Sequence, residues 1–182
     1  MLFFEAIHKI LFRGESEEEY RLTRGMKVGK NCHIYSWDTI DGGHPYLISI
    51  GDNVTISSNV TILTHDASTN VVGCGTKIGK VTIGNNVFIG TRAIVLCNVN
   101  IGNNVIVGAG SVVTHDLPDN GVYVGVPARY VSSIENYKKK NQKLREERPR
   151  FDSIRPWYDW KNATEEEKNE MIRELEDGVG FF

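Results

Sequence analysis

Residues 83–118 decide the fold, and they run IGNNVFIGTRAIVLCNVNIGNNVIVGAGSVVTHDLP. The stretch divides into six units of six residues, and each unit opens with an aliphatic residue. Ile83 and Ile101 are eighteen residues apart, and so are Ile89 and Val107. Internal repetition at a fixed period is the sequence signature of a repeat architecture. Three units therefore make one turn of a repeating structure.

The same frame extends beyond this stretch in both directions. It appears as IGDNVTISSNVT from Ile50, more weakly as VGKNCH from Val28, and again as VGVPAR from Val124. In an extended chain the first and fifth positions of a unit point to the same face, and the Gly and Asn residues that follow the aliphatic position suit tight corners. The sequence predicts an all-β solenoid of short parallel strands with a stacked aliphatic core.

Composition narrows the class of protein. The chain has 182 residues, of which 40% are hydrophobic and 24% charged, and its formal net charge is -2. These values are ordinary for a folded domain, and the charge balance disfavours sequence-independent binding of nucleic acid. Cys32, Cys74 and Cys97 form no C-x-x-C pair, so we expect reduced packing residues in a cytoplasmic protein.

The two ends of the chain differ from the repeat. Residues 1–24 begin with the apolar run MLFFEAIHKILF, which charged residues interrupt, so we expect a helical segment packed on a neighbour. A membrane-surface anchor is the alternative, and a membrane span is not expected. Residues 132–182 predict a helical and aromatic extension, with capping boxes at Ser132 to Glu135 and Thr164 to Glu167.

The repeat is interrupted twice. Ile50 and Ile83 are 33 residues apart, fifteen more than one turn, which predicts a loop excursion at about residues 67–81. Val28 and Ile50 are 22 apart, four more than one turn, and the extra residues lie around WDTIDGGHPYL at 37–47. Loops that leave a rigid scaffold often carry function, so both segments are candidates for lining a site.

The hexads, THD at 64–66, VFIGTRAIV at 87–95 and GAGSVVTHDLPDNGVYVGVPARYV at 108–131 together resemble the hexapeptide-repeat acyltransferases. The resemblance covers residues 25–132. Within the family the chain is most similar to acetyltransferases of bacterial surface-polysaccharide biosynthesis, and next to galactoside, maltose and serine acetyltransferases. It implies a left-handed parallel β-helix of triangular section over residues 25–131, acetyl-CoA as co-substrate without a metal, and a homotrimer with active sites between subunits.

The resemblance also implies a catalytic histidine. His65 stands where the excursion leaves the repeat, at the place where the family has a general base that takes the acceptor's proton. A neutral imidazole can accept a proton at cellular pH. Asp66 is a candidate to orient this imidazole, with Asp41 and Asp38 as alternatives from the other segment. Asp38, Asp41 and His44 are also candidates for binding the acceptor.

Six further residues match the positions that bind acetyl-CoA in the resembling family. Gly90 and Thr91 of IGT and Ala109 of GAG are the first three. Thr114, His115 and Arg129 complete the set, and the Arg129 guanidinium suits a phosphate. Some relatives carry a second basic residue shortly afterwards, where this chain has Ser132.

The leading hypothesis is an acetyl-CoA-dependent acetyltransferase that acts on a sugar hydroxyl of a polysaccharide or its precursor. N-acetylation of a nucleotide-linked amino sugar, or acetylation of a xenobiotic, uses the same chemistry and stays open. A non-catalytic assembly module is a further alternative. The zinc lyase built on the same prism, the γ-type carbonic anhydrase, needs three histidines, and this chain has none between His65 and His115.

Overall fold

Successive coils of the chain stack on one another through three sheets. The computed structural model describes residues 15–152 and 157–182, so the opening run of the predicted N-terminal segment lies outside the described residues. The chain divides into two compact units, Met1–Ile134 and Glu135–Phe182. The predicted domain limits at residues 24 and 131 stay predictions. The first unit begins with helix α1, Glu17–Thr23, which Ser16 and Glu19 cap reciprocally.

Three sheets stack the coils of the first unit, and β6 and β7 form a separate two-stranded sheet. The strands are β1 Lys27–Val28, β2 His33–Ile34, β3 Ile48–Ile50, β4 Thr55–Ile56, β5 Thr61–Ile62, β6 His65–Asp66, β7 Lys77–Ile78, β8 Val81–Ile83, β9 Val87–Ile89, β10 Ile94–Val95, β11 Val99–Ile101, β12 Val105–Val107, β13 Val112–Val113, β14 Gly121–Val124 and β15 Arg129–Ser133. The sheet orders are β1-β3-β8-β11, β2-β4-β9-β12-β14-β15 and β5-β10-β13. Within these three sheets, all pairs are parallel except β14 with β15.

The register of the sheets follows the eighteen-residue period. Ile83 pairs with Ile101, and Ile89 pairs with Val107. Ile50 pairs with Ile83 across the long interruption, as the sequence predicts. The solenoid of short parallel strands is thereby confirmed, and both interruptions leave the register intact.

Aliphatic side chains from all three sheets meet in one core. Ile56, Ile62, Ile89 and Val107 are each 0% exposed. Along a strand the burial alternates, as in β9, where Val87 and Ile89 point inward and Phe88 points outward. The stacked core forms because a strand's side chains alternate between its two faces.

Replacing Ile89 by Ala is expected to lower the free energy of unfolding by about 2–5 kcal/mol. The side chain is 0% exposed and lies in the core between coils, so its loss leaves a cavity. Urea denaturation at fixed protein concentration measures the change. Phe88→Ala is the matched control, because the neighbouring side chain is 43% exposed. Equal losses for the two variants would contradict this account of the core.

The corners of the coils rely on asparagine. Asn53, Asn86, Asn104 and Asn120 all have positive φ, between 54° and 62°. Asparagine tolerates this left-handed conformation better than most residues. Their amides form a ladder from coil to coil, with N···O distances of 3.0 Å from Asn53 to Asn86 and 3.1 Å from Asn86 to Asn104. The polar third and fourth positions of the repeat therefore stabilise the turns.

The long interruption is an ordered arm, residues 65–78. Its two ends, β6 and β7, pair antiparallel, and the 3-10 helix Ala67–Val72 lies between them. Cys74 is exposed on the arm, so the predicted packing role is wrong for this cysteine. The short interruption folds into two 3-10 helices, Trp37–Thr39 and Pro45–Leu47.

The second unit contains all but the first residue of helix α2, Ile134–Glu147, and helix α3, Glu165–Glu174, with the 3-10 helix Trp157–Asn162 between them. The predicted capping box of Thr164 and Glu167 is present. The predicted box at Ser132 is wrong, because Ser132 lies in strand β15 and the helix begins two residues later. Among the described residues, no helix has the length and apolarity that crossing a membrane requires.

Candidate active site

The candidate site lies at the corner that follows the third sheet. Asp41, Leu63 and Leu96 occupy equivalent positions on successive coils, since each donates its backbone N–H to the coil above or below. The backbone bond from Asp41 to Ile62 is 2.8 Å long. His65 comes two residues after Leu63, in β6, where the arm begins. The stacking of the coils thus places the short interruption, residues 37–47, next to the start of the arm.

Asp41 is a buried carboxylate with a full set of donors. Its Oδ2 accepts hydrogen bonds from the Thr64 backbone at 2.9 Å and from the Thr64 hydroxyl at 2.6 Å. Its Oδ1 accepts from the Gly43 backbone at 2.8 Å. Burial raises the pKa of Asp41, but these bonds and one from His65 outweigh burial and hold that pKa at about 2. Asp41 is therefore ionised at neutral pH.

The ionised carboxylate determines which ring nitrogen of His65 carries a proton. The Nδ1 atom of His65 lies 2.5 Å from Oδ2 of Asp41. A carboxylate can only accept hydrogen bonds, so Nδ1 must carry the proton. In the neutral ring, Nε2 is then the basic nitrogen. The pair has the geometry of a general base with an orienting carboxylate.

Asp66, the first choice for that carboxylate, has other partners. It accepts from the Ser68 backbone at 2.9 Å, where it caps the 3-10 helix, and from Lys77 Nζ at 3.0 Å. Hydrogen bonds from Ser68, followed by the Lys77 ammonium, hold the pKa of Asp66 well below its usual range. Among the described residues, the carboxylate that contacts the His65 ring is that of Asp41, one of the two alternatives, and not that of Asp66.

His44 and Asp38, the two other residues predicted to bind the acceptor, lie in different places. His44 lies beside His65, with ring centroids 5.8 Å apart. Asp38 is exposed on the 3-10 helix Trp37–Thr39, and no contact among the described residues joins it to His65. Two residues of the segment 37–47 therefore lie at the site, Asp41 and His44.

A cavity of about 290 Å³ opens beside this pair. Its lining comes from three coils and from the base of the arm: Leu63, His65, Asp66, Lys77, Leu96, Cys97 and Thr114. Thr114 was predicted from the coenzyme-binding motif. The predicted site residues did not include Thr64, which anchors Asp41, or Lys77, Leu96 and Cys97. The eighteen-residue register was the available signal for Leu96, because it places Leu96 one coil from Thr114.

The residues predicted for the coenzyme form two groups. Thr114 Oγ1 lies 2.9 Å from His115 Nδ1, and Arg129 Nη1 lies 3.1 Å from His115 Nε2. Since arginine only donates, that Nε2 accepts. The second group is Gly90 and Thr91, at the corner between β9 and β10, with Ala109 at the equivalent corner of the next coil, between β12 and β13. A Cβ atom on Gly90 would lie 2.5 Å from the backbone nitrogen of Ala109, so the coils pack there without room for a side chain.

Helix α1 supports the site through a buried arginine. Arg21 is 4% exposed, and its Nε donates to the backbone carbonyl of Ile40 at 2.8 Å. Its Nη1 also pairs with Glu17, one turn earlier. Because Ile40 precedes Asp41, this contact fixes the backbone that carries the carboxylate.

Removal of the Arg21 side chain is expected to lower the free energy of unfolding by about 2–3 kcal/mol. Arg21→Ala leaves the buried Ile40 carbonyl without its charged donor. Thermal or urea denaturation measures the loss. Arg24→Ala serves as control, because that arginine directly follows helix α1 and its side chain is 39% exposed. A loss no larger than that of the control would show that Arg21 does not hold the loop.

Two models of hexapeptide-repeat transferases match the chain. The model described as bacterial transferase hexapeptide (six repeats) matches residues 80–115, and the hexapeptide repeat of succinyl-transferase matches residues 48–64. Both ranges lie on the coils that carry the candidate site. Fold and motif together define a hexapeptide-repeat transferase.

Individual proteins of this class are similar to the chain in sequence and in structure. The chain is 45% identical to Protein CapG of Staphylococcus aureus over 137 residues, 72% of this chain and 79% of that protein. It resembles a solved galactoside acetyltransferase in complex with coenzyme A, with a TM-score of 0.53, 35% identity, and 63% and 58% of the two chains covered. It also resembles a hexapeptide-repeat acetyltransferase of Vibrio cholerae complexed with acetyl coenzyme A, with a TM-score of 0.54, 28% identity, and coverage of 60% and 61%.

The chain belongs to the hexapeptide-repeat acyltransferase family. It is accordingly an acyltransferase enzyme. The structural neighbours also imply the left-handed winding that the resemblance predicts for the β-helix.

Proposed function

We propose that this protein transfers an acetyl group from acetyl-CoA to a hydroxyl of a sugar, in a polysaccharide or its precursor. The observation that carries the proposal is the Asp41–His65 pair at the edge of the cavity. The galactoside acetyltransferase and the Vibrio cholerae acetyltransferase, solved with coenzyme A and acetyl coenzyme A, support the donor. A relative named galactoside O-acetyltransferase supports a sugar hydroxyl as the acceptor.

The proposed reaction uses His65 as the general base. Nε2 takes the proton of the acceptor hydroxyl as its oxygen attacks the thioester carbonyl. The tetrahedral intermediate then collapses, the carbon–sulfur bond breaks, and the proton can pass to the leaving thiolate. Asp41 keeps the imidazole in the tautomer that accepts at Nε2 and stabilises the imidazolium.

The proposal extends to the coenzyme and to the assembly. Thr114, His115 and Arg129 form one connected group and would contact the coenzyme from the side of β13 and β15. Gly90, Thr91 and Ala109 would contact it at the other corner, where the coils leave little side-chain bulk. A cytoplasmic homotrimer with residues 25–131 as catalytic domain completes the proposal.

Release of free thiol from acetyl-CoA, measured across a panel of acceptors, tests the function. We expect turnover with mono- or oligosaccharides that lack amino groups, and acetyl esters in the product. Turnover only with nucleotide-linked amino sugars or xenobiotic amines would overturn the acceptor assignment. Absence of acetyl-CoA binding by calorimetry would instead indicate a non-catalytic module.

A further inference from the structure

The side chains of Asp41, His44 and His65 form a cluster at the candidate site. One possible ligand atom from each residue lies within 4.8 Å of the others. Among the described residues this is the one group of three or more such side chains that could hold a metal ion. The cluster joins the short segment 37–47 to the base of the arm.

The proposed transfer reaction leaves His44 without a role. Its Nδ1 atom is buried and has no hydrogen-bond partner among the described residues. Its ring meets Tyr46 on one side, at a centroid distance of 6.0 Å, and His65 on another, at 5.8 Å. Buried ring nitrogens are normally hydrogen-bonded, so an unpartnered one marks a place for a water or an ion.

The chemistry of the three side chains favours a borderline divalent metal. Asp41 supplies a buried negative charge, and two imidazoles supply nitrogen. Carboxylate oxygen with imidazole nitrogen is a typical ligand set for Zn²⁺. Metal–ligand distances of about 2.0–2.2 Å put neighbouring ligand atoms about 3.3 Å apart on a tetrahedral ion. Since Thr64 and Gly43 hold Asp41 in place, the two histidine rings would close on the ion.

We propose that Asp41, His44 and His65 bind one Zn²⁺ ion and that the bound ion inhibits the enzyme. The ion replaces the hydrogen bond between Asp41 and His65 and occupies the imidazole that would accept the substrate proton. Its inhibitory effect rests on the proposed function of His65, whereas the binding site rests on the cluster alone. The set differs from the three histidines of the zinc lyase, because one ligand is a carboxylate and two come from one short segment.

Titration of the full-length, chelator-treated protein with Co²⁺ tests the site without reference to activity. Co²⁺ stands in for Zn²⁺ and gives a visible absorption band when it is bound in a tetrahedral site. We expect one ion per chain, displaced by Zn²⁺, and an affinity about tenfold or more weaker in His44→Ala. His33→Ala is the matched control, since His33 is exposed on β2 and outside the cluster. Equal Co²⁺ affinity in His44→Ala and wild type, or no binding to the wild type, would overturn the proposal.

Inhibition is measured separately as thiol release at increasing Zn²⁺, with each variant compared to its own metal-free rate. The wild type and His33→Ala should lose activity at the Zn²⁺ concentrations that saturate the site, and His44→Ala should need about tenfold more. Saturation of the site without loss of activity would overturn the inhibitory role. If no acceptor is turned over at all, the proposed function fails, while the Co²⁺ titration still decides the metal site.

Discussion

Replacing His65 by Ala is expected to lower kcat by about a hundredfold or more, with acetyl-CoA binding nearly unchanged. Removal of a general base typically costs a factor of about 10²–10⁴. His65 lines the cavity and its Nδ1 is held by Asp41, so the alanine variant loses the basic nitrogen without removing any core side chain. Thiol release under saturating acetyl-CoA measures kcat, and calorimetric titration measures binding of the coenzyme.

His33→Ala is the control for a histidine outside the site, because His33 lies exposed on β2. Wild-type turnover in His65→Ala would remove this residue from the mechanism. A loss of acetyl-CoA affinity equal to the loss of kcat would show that the substitution disturbs the coenzyme groove instead of proton transfer.

The fold was predictable because one period governs the whole β-helix. Aliphatic residues eighteen apart stack in register, so the pairing of Ile83 with Ile101 follows from counting. Even the long interruption obeys the rule, since Ile50 pairs with Ile83 once fifteen residues are set aside. Each coil makes the same contacts as the next, and local sequence therefore carries the long-range pairing.

The partner of His65 was not predictable from its sequence neighbours. Asp66 is adjacent in sequence, but it turns to Lys77 across the arm. Asp41 is 24 residues away, and the bridge between Ile40 and Ile62 brings it into place. The position of Asp41 relative to His65 could not be counted from the repeat. The short interruption adds four residues to its coil and folds into 3-10 helices, and the repeat does not specify their length.

The contribution of helix α1 to the site was not predictable from the sequence either. Arg21 holds the Ile40 carbonyl from helix α1, which carries no hexad. An arginine on a short polar helix has no pattern that indicates burial. Its role depends on the tertiary contact between helix and coil, which the period does not describe.

The orienting carboxylate gives the second large expected effect: Asp41→Asn should lower kcat by about a hundredfold or more. An amide at this position keeps nearly the same shape but removes the charge that stabilises the imidazolium. It can also present its NH₂ group to donors that now face Oδ2, namely Thr64 and His65. Asp66→Asn should cost at least tenfold less than Asp41→Asn, because Asp66 pairs with Lys77. Reversed losses would assign the orienting role to Asp66.

Stability as a function of pH tests the same carboxylate independently of catalysis. The pKa of Asp41 is lowered from 3.8 to about 2 in the folded protein, which corresponds to about 2 kcal/mol of stability. Because the folded pKa is the lower one, this contribution is complete above about pH 4 and is lost as the pH falls toward about 2. In urea denaturation, the gap between wild type and Asp41→Asn should therefore narrow over that range. A gap that stays constant from pH 7 to pH 2.5 would show that the ionised carboxylate does not stabilise the fold, and the charge would then have no part in holding His65.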